Sequence, residues 1–436
     1  MKSEIYLNTP LIYNLFPPLV GPFDRWLPHA VRASSLGFNW LYLNPLNYPG
    51  FSGSLYSTKD YYRLNPAFSP DGSPDRPLMD LAPVIRAIRE SGVHPMIDLV
   101  INHTAFDSQL VTEHPEWYVR DNHGQIQHPF AVDPQNPEKR TVWKDLAEID
   151  NRGSSARKEL WDYWERLIET YIAIGFEGFR CDAAHQVPVE LWQYLIDKVR
   201  RCHPHLVFWA ENLGGTVEQT RALREAGFQF FCNSSKWWNF QDSWCLDQHE
   251  EFCDLPSISF PETHDTERLA KESGGNEAIQ RQRYAFAAMF SSGLMMPVGY
   301  EYGFTKRLHV VETRLTDWEA PHFDLSSLIQ AVNQFKMRTP LFQGEGRLTR
   351  IPVPSPHLLV LERSSDREPG KRGIIAVNIH SSGEQVLSRD WLPSNSHNLK
   401  VAYVSWIDRN DKLKDFVGQL TLKPSEVIAI LDKDPK

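Results

Sequence analysis

The stretch WDYWERLIETYIAIGFEGFRCD, residues 161–182, contains one predicted helix and one predicted strand in direct succession. The helix covers 161–175 and ends at Gly175, because glycine is common where a helix stops. The segment GFRCD at 178–182 is short and apolar up to its charged end, which is typical of a buried strand. A helix and a buried strand in alternation are the repeating unit of α/β proteins.

The same alternation extends over roughly the first 340 residues. Its near-continuous apolar runs indicate strands buried on both faces, as in a parallel sheet covered by helices. Eight such units predict an α/β fold of the (β/α)8 TIM-barrel type. The predicted strands are residues 11–16, 39–46, 94–101, 178–182, 206–211, 228–233, 257–262 and 293–299.

Two parts of the chain depart from this pattern. Residues 103–152 separate the third strand from the next helix, and a connection of that length is typical of a functional loop or an inserted domain. After residue 340, short strands alternate with polar turns, which predicts an antiparallel β-sandwich. We therefore predict a barrel formed by 1–102 and 153–340, a domain B at 103–152 and a C-terminal domain at 341–436.

The bulk composition excludes several classes of protein. The formal net charge is −9 and no long basic run occurs, so a nucleic-acid partner has no electrostatic support. Five cysteines without a CxxC pair argue against a disulfide framework and a structural zinc site. The sequence shows neither a signal-peptide pattern nor an uninterrupted apolar run of ~18 residues. These features predict a soluble cytoplasmic protein without a membrane partner, and they leave its oligomeric state open.

Polar residues follow several predicted strands at the carboxyl end, where barrels of this type form their active sites. Four carboxylates, one arginine, one asparagine and two histidines would meet at this rim. The residues are Asp98, Asn102 and His103 at the end of the third strand, Arg180 and Asp182 at the end of the fourth, Glu211 at the end of the fifth, and His264 and Asp265 after the seventh.

Asp182 and Glu211 are the informative pair, because both stand at the ends of strands that are largely apolar, where charge is rare. Asp182 lies two residues after Arg180, so both side chains point to one face and the cation keeps the carboxylate ionised. Glu211 follows the apolar residues FWA, and an apolar environment raises a carboxyl pKa until the group can donate a proton. Two such carboxyls can break a glycosidic bond with retention of configuration.

Four segments resemble, in order, the four conserved regions of glycoside hydrolase family 13, the α-amylase superfamily. They are DLVINH (98–103), GFRCDAAH (178–185), WAEN (209–212) and ETHD (262–265). Three further segments look like other motifs of that family: SLYSTKDYY (54–62), LAEIDN (146–151) and PVGYEYG (297–303). The resemblance therefore extends over nearly the whole chain.

The resemblance implies an enzyme that acts on α-1,4-glucans or malto-oligosaccharides through a covalent glycosyl-enzyme intermediate and requires no cofactor. Asp182 would be the nucleophile, Glu211 the general acid/base and Asp265 the stabiliser of the transition state. The resemblance also implies roles for the residues around them. Arg180 would orient the nucleophile, and His103 and His264 would bind sugar hydroxyls. Tyr56 would stack beneath the sugar, and Asp98 would be a structural residue that braces the site.

Departures from the family pattern concern the branch and the metal. Thr263 stands where the family usually has Asn, and His185 and Gln186 stand where many amylases have Lys and His. In the family, the histidine that Gln186 replaces commonly gives its carbonyl oxygen to a structural calcium ion. Asn102, another usual ligand position, is retained. Binding of a structural calcium ion is therefore undecided by the sequence, and no other metal is expected. His185 and the segments TEHPEWYVRD (112–121) and NSSKWW (233–238) look similar to the maltosyltransferase branch.

The sequence leaves several alternatives open. The enzyme could be a hydrolase or a maltosyl or glucosyl transferase of glycogen or maltodextrin metabolism. A third alternative is an inert amylase-like binding subunit, which the presence of all three catalytic carboxylates disfavours. Trp237 and Trp238 are adjacent and face different ways, so one is expected to pack and the other to line a sugar subsite. Lys236 is a candidate for binding phosphate or a hydroxyl, with a solvated lysine as the simpler alternative, and Glu301 is either buried or in contact with sugar.

Overall fold

The computed structural model describes residues 9–133, 136–393, 399–406 and 414–432. Eight parallel strands form a closed barrel in which each strand pairs with the next in chain order and the eighth pairs with the first. The predicted barrel and its eight strands are confirmed. The strands are β1 (Leu11–Leu15), β2 (Trp40–Leu43), β3 (His94–Leu99), β4 (Gly178–Cys181), β5 (Val207–Ala210), β6 (Phe230–Cys232), β7 (Ser257–Ser259) and β8 (Gly293–Pro297).

One principal helix follows each strand of the barrel. These helices are α1 (Trp26–Ser35), α2 (Ala82–Glu90), α3 (Arg157–Ile174), α4 (Val189–Cys202), α5 (Val217–Leu223), α6 (Trp244–Phe252), α7 (Glu277–Phe290) and α8 (Ser326–Arg338). Gly175 ends α3 with a φ of 115°, a left-handed conformation that glycine adopts without a steric penalty. Short helices also occur at Pro17–Val20, Gln109–Glu113 and Leu269–Glu272.

The long connection between β3 and α3 contains its own small sheets. Strand His103–Ala105 pairs with Leu146–Glu148, and Phe130–Asp133 pairs with Asn136–Val142. A further pair, Asn47–Pro49 with Thr58–Leu64, lies in the connection after β2. The inserted domain is therefore present after the third strand, while the domain boundaries at 102/103, 152/153 and 340/341 stay predictions.

The C-terminal part of the chain is antiparallel, as predicted. Its strands are β9 (Leu348–Arg350), β10 (Leu358–Ser364), β11 (Arg372–Asn378), β12 (Gln385–Ser388), β13 (Leu399–Ala402), β14 (Lys414–Asp415), β15 (Gln419–Leu422) and β16 (Val427–Asp432). The larger sheet has the order β9-β10-β11-β16-β13-β14, and β12 pairs with β15 in a second sheet. Apolar side chains of both sheets form one cluster between them.

Alternation along the barrel strands creates two separate cores. On β1, Leu11 and Tyr13 pack outward against the helices, whereas Ile12 belongs to the cluster inside the barrel. The inner cluster also contains Tyr42 and Trp209. Inward-facing side chains at the carboxyl ends of the strands therefore point into one opening, the mouth of the barrel. The predicted site residues lie at this mouth. Among the described residues, no helix combines the length and apolarity needed to cross a membrane.

Candidate active site

Arg180 joins three carboxylates at the mouth of the barrel. Its Nη1 atom lies 2.8 Å from Asp98 Oδ1 and 2.6 Å from Asp182 Oδ1, and its Nη2 atom lies 3.6 Å from Glu211 Oε2. The parallel register creates this cluster, because Arg180 on β4 lies opposite Asp98 on β3 and Trp209 on β5. The residues that the sequence predicted to meet at the ends of these strands do so.

The backbone after Asp182 turns sharply towards Glu211. Ala183 has a φ of 41° in the left-handed region, which is costly for a residue with a side chain. Its amide donates to Glu211 Oε2 at 2.9 Å, and the amide of Leu213 donates to Oε1 at 2.6 Å. Both carboxylate oxygens of Glu211 are thereby fixed by backbone groups rather than by mobile side chains.

Glu211 is a carboxyl that can hold a proton near neutral pH. Burial raises the pKa of Glu211 to about 7; the Arg180 guanidinium opposes this and the Asp182 carboxylate adds to it. Asp182 has a direct ion pair with Arg180 at 2.6 Å. A carboxyl that holds a proton near neutrality therefore lies beside one that is paired with a cation, which is the division of work expected of an acid and a nucleophile.

Tyr56 connects Asp98 to the β7 side of the site. Its hydroxyl lies 2.8 Å from Asp98 Oδ2, 3.0 Å from Asn44 Nδ2 and 2.7 Å from His264 Nε2. Burial raises the pKa of Asp98, and the hydrogen bonds that it accepts from Arg180 and Tyr42 oppose this shift. The Tyr56 hydroxyl then donates to Asp98 and accepts from the other two groups, so His264 carries its proton on Nε2.

His264 and Asp265 form the outer edge of this network. The His264 Nε2 atom lies 3.1 Å from Asp265 Oδ2, and the Asp265 side chain is 64% exposed. The rings of Tyr56 and His264 stack with an interplanar angle of 5° and a centroid distance of 5.8 Å. Asp265 therefore lies at the open side of the site, whereas Asp98 lies at its floor with 1% exposure.

Two further histidines face the same region. His103 is buried and its Nε2 atom donates to the Tyr56 carbonyl at 3.1 Å. His185 is partly buried, and its Nδ1 atom has no hydrogen-bond partner among the described residues. Burial lowers the pKa of both imidazoles, which keeps them neutral and able to bind hydroxyl groups. A side chain at Gly215 would place Cβ only 2.9 Å from His185 Cγ, so the glycine makes room for this ring.

The two tryptophans after β6 separate as predicted. Trp238 is fully buried, whereas Trp237 is 50% exposed and meets the Phe260 ring edge-on at 6.0 Å. Lys236 is not a freely solvated lysine, because its side chain is 5% exposed and its ammonium lies 3.2 Å from Glu272, and its binding of phosphate or a hydroxyl stays a prediction. Sequence reasoning missed this pairing because the partner is 36 residues away.

Glu301 is buried, which decides between the two readings of that residue. It is 0% exposed, accepts from Tyr13 at 2.8 Å and lies 3.6 Å from Arg32. Sequence reasoning also overlooked Tyr42 and Asn44, although both stand at alternate positions near the end of the second predicted strand and so share the face that points to the site.

Asn102 is the remaining position with a possible metal role. Its amide nitrogen donates to Gln186 Oε1 at 3.3 Å, and its amide oxygen is buried without a partner among the described residues. Calcium takes six to eight oxygen ligands. Among the described residues, the carboxylates and imidazoles that lie close enough to share a metal ion are His114, Glu116 and Glu159, a group that does not include Asn102, so we assign calcium no part in the chemistry.

Comparison with known sequences identifies related enzymes. Residues 3–133 match the family model described as the glucanotransferase domain of glycogen debranching enzyme. An α-1,4-glucan:maltose-1-phosphate maltosyltransferase of Burkholderia pseudomallei is 27% identical over 392 residues, which cover 85% of this chain and 33% of the relative. The same kind of enzyme from Bifidobacterium animalis is 25% identical, with 84% of this chain and 53% of the relative covered. The chain thus spans about a third to a half of the length of these relatives.

Solved structures share the whole architecture. An α-amylase from Lactobacillus plantarum superposes with a TM-score of 0.77 at 20% identity, covering 98% of this chain and 99% of the amylase. A maltogenic α-amylase from Thermotoga neapolitana gives 0.73 at 18% identity, with 99% and 100% covered. The related sequences and this common fold make the chain similar to enzymes of the α-amylase superfamily, glycoside hydrolase family 13, which its ordered motifs around Arg180, Glu211 and His264 also resemble.

Proposed function

We propose that this protein is a retaining enzyme that cleaves or transfers α-1,4-linked glucosyl units by double displacement. The observation that carries the proposal is the arrangement of Asp182 and Glu211 at the two ends of the Arg180 guanidinium, with nitrogen–oxygen distances of 2.6 and 3.6 Å. One guanidinium that contacts both carboxylates keeps them close together, and retaining enzymes need carboxyls ~5–5.5 Å apart. The raised pKa of Glu211, about 7, supports the acid role.

In the first step, Asp182 attacks the anomeric carbon and forms an ester bond to it. The bond between that carbon and the leaving oxygen breaks, and Glu211 donates its proton to the oxygen as the bond opens. Arg180 orients the attacking carboxylate through their contact at 2.6 Å. Because the Ala183 amide holds Glu211 Oε2 at 2.9 Å, the acid keeps a fixed position beside the nucleophile.

In the second step, an acceptor hydroxyl replaces the carboxylate. Glu211, now ionised, removes the acceptor's proton as its oxygen attacks the anomeric carbon, and the ester bond to Asp182 breaks. Water as acceptor gives hydrolysis, and the terminal hydroxyl of a glucan gives transfer. Both outcomes retain the α configuration, because each displacement inverts it once.

The surrounding residues receive binding roles in this proposal. His103, His185 and His264 bind hydroxyls of the sugar at the cleavage point, and Tyr56 stacks beneath that sugar. Asp265 stabilises the transition state from the open side of the site, where its side chain is 64% exposed. Trp237 offers an apolar face to a further sugar ring, since pyranose C–H groups pack well on aromatic rings.

A second candidate is maltosyl transfer from a phosphorylated donor. The maltosyltransferases matched over 84–85% of this chain carry that activity in their names, and His185 resembles their pattern. In this version the leaving oxygen belongs to a phosphate, which departs with less help from a proton because it is a weak base.

Product analysis tests the proposal. The purified protein is incubated with maltoheptaose, with and without maltose 1-phosphate, and the products are followed by chromatography and anomeric NMR, with Asp182→Asn as control. Shorter α-anomeric products support hydrolysis, and growth that depends on maltose 1-phosphate supports the transferase. Products that first appear as β-anomers would overturn the retaining mechanism, and no turnover of any glucan would favour a binding subunit.

A further inference from the structure

The segment 233–242 after β6, here called the Trp237 loop, has one face at the barrel mouth. Trp237 is half exposed, and its ring meets Phe260 edge-on at 6.0 Å. Phe260 directly follows β7 and belongs to the inner core of the barrel together with Tyr42 and Trp209. The exposed indole therefore lies near the end of β7, the strand that leads to His264 and Asp265.

The other face of the loop is buried and locally strained. Trp238 and Phe240 are 0% and 1% exposed, and Phe240 has a φ of 68°. A bulky residue in the left-handed region costs on the order of 1 kcal/mol, so contacts elsewhere must maintain this conformation. The conformation of the loop is consequently sensitive to whatever holds residues 238–241.

Arg350 provides such a contact from the C-terminal sheet. It is the last residue of β9, and its Nη2 and Nη1 atoms donate to the carbonyls of Phe240 and Gln241, each at 2.8 Å. The guanidinium also lies 5.8 Å from the centre of the Trp238 ring. A planar guanidinium that binds two successive carbonyls fixes their relative orientation, which a single-point contact does not.

Arg283 of α7 holds the same segment from the barrel side. Its Nη1 atom donates to the Trp238 carbonyl at 2.8 Å, and its guanidinium lies 4.1 Å from the centre of the Phe240 ring. The loop is thus clamped between the barrel and the C-terminal sheet, one arginine on each side. Trp237 directly precedes the clamped residues, and its side chain stays half exposed.

We infer that Arg350 is a positioning residue for a sugar-binding platform at Trp237, so that the C-terminal sheet contributes to recognition of longer α-1,4-glucans. The inference rests on the proposed function. Loss of the two hydrogen bonds frees residues 240–241. The Trp237 indole must then become ordered when a sugar binds, and the entropy lost in this ordering weakens the affinity for the sugar. The platform accepts a ring beyond the sugar at the cleavage point, because it lies outside the cluster around Arg180.

The experiment measures binding rather than turnover. In the Asp182→Asn background, dissociation constants for maltotriose and maltoheptaose are determined by calorimetry for Trp237→Ala, Arg350→Ala, Arg350→Lys and Arg347→Ala. Arg347 is the matched control, because it lies three residues away, is 68% exposed and pairs with Glu250 at 3.1 Å instead of the loop. Thermal unfolding checks that each variant is folded.

We expect Trp237→Ala and Arg350→Ala to weaken maltoheptaose binding by about five- to twentyfold, with maltotriose changed less than twofold, which corresponds to on the order of 1–2 kcal/mol. Arg350→Lys should recover part of the loss, and Arg347→Ala should bind like the parent. If Trp237→Ala weakens binding but Arg350→Ala and Arg350→Lys do not, the inference is wrong; unchanged binding in Trp237→Ala also overturns it. If the parent binds neither sugar, the proposed function fails instead.

Discussion

The amide of Ala183 donates a hydrogen bond to Glu211 Oε2 at 2.9 Å, so the residue after the proposed nucleophile holds the proposed acid. The bond depends on the left-handed conformation of Ala183, with φ at 41°. Strain at such positions persists only where the surroundings impose it, and it concentrates at functional sites. The residue next to Asp182 therefore fixes the position of the Glu211 carboxyl relative to the Asp182 carboxylate.

Ala183→Gly should keep the activity within a few-fold of the parent, because glycine adopts this conformation freely. Relief of strain is partly offset by the greater entropy of glycine in the unfolded chain, so the free energy of unfolding should rise by no more than about 1 kcal/mol. Ala183→Val should lose at least about tenfold in kcat, because a branched side chain disfavours the left-handed region. Denaturant unfolding and steady-state kinetics measure both effects. Equal activity of the valine variant would show that this conformation does not matter.

Asp182→Asn should abolish turnover, by roughly 10⁴-fold or more, because it removes the nucleophile without changing the side-chain volume. Arg180 retains Asp98 at 2.8 Å and Glu211 at 3.6 Å, so the fold should persist. Circular dichroism and the melting temperature provide the control. Activity at the level of the parent would refute the proposed mechanism.

Glu211 should impose the basic limb of the pH profile. Its pKa is raised to about 7, so the protonated acid prevails below this value and is lost as the pH rises through it. We expect kcat/KM for a natural glucan to fall above pH ~7. Glu211→Gln should lose about 10²–10⁴-fold on that substrate yet much less on α-maltosyl fluoride, whose leaving group needs no proton. Equal losses on the two substrates would argue against Glu211 as the acid.

Tyr56→Phe should damage both stability and catalysis. It removes a hydroxyl that contacts Asp98, Asn44 and His264, and leaves these groups without that partner. The expected cost is about 1–3 kcal/mol of unfolding free energy. Tyr284→Phe is the matched control, because its buried hydroxyl donates to Asn333 at 2.8 Å away from the site. We expect kcat to fall only in the Tyr56 variant; a similar fall in both would assign the effect to stability.

The sequence predicted the eight strands of the barrel but extended several of them too far. The predicted strand 228–233 is only Phe230–Cys232 in the structure, because polar contacts replace the ladder at its end, where Asn233 Nδ2 bonds Ser257 and Ser259. Apolar composition alone does not reveal where a strand gives way to a loop. The carboxyl ends were nevertheless placed well enough to predict that Asp182 and Glu211 lie together beside Arg180.

Long-range pairings account for what the sequence did not reveal. The ion pair of Lys236 with Glu272 and the contact of Arg350 with Phe240 join parts of the chain that only the fold brings together. Asp98 was expected to brace the site, and the structure adds its hydroxyl partners Tyr42 and Tyr56. Local pattern predicts which residues face the mouth, whereas partner choice depends on packing between distant segments.

Mass spectrometry of a trapped intermediate tests the central claim most directly. Glu211→Gln is mixed with α-maltosyl fluoride, which forms the ester without an acid, while the missing base slows its release. We expect a peptide containing Asp182 to gain the mass of one maltosyl group, and the double variant with Asp182→Asn to gain none. Labelling of a different residue, or β-configured product without any adduct, would contradict a double displacement at Asp182.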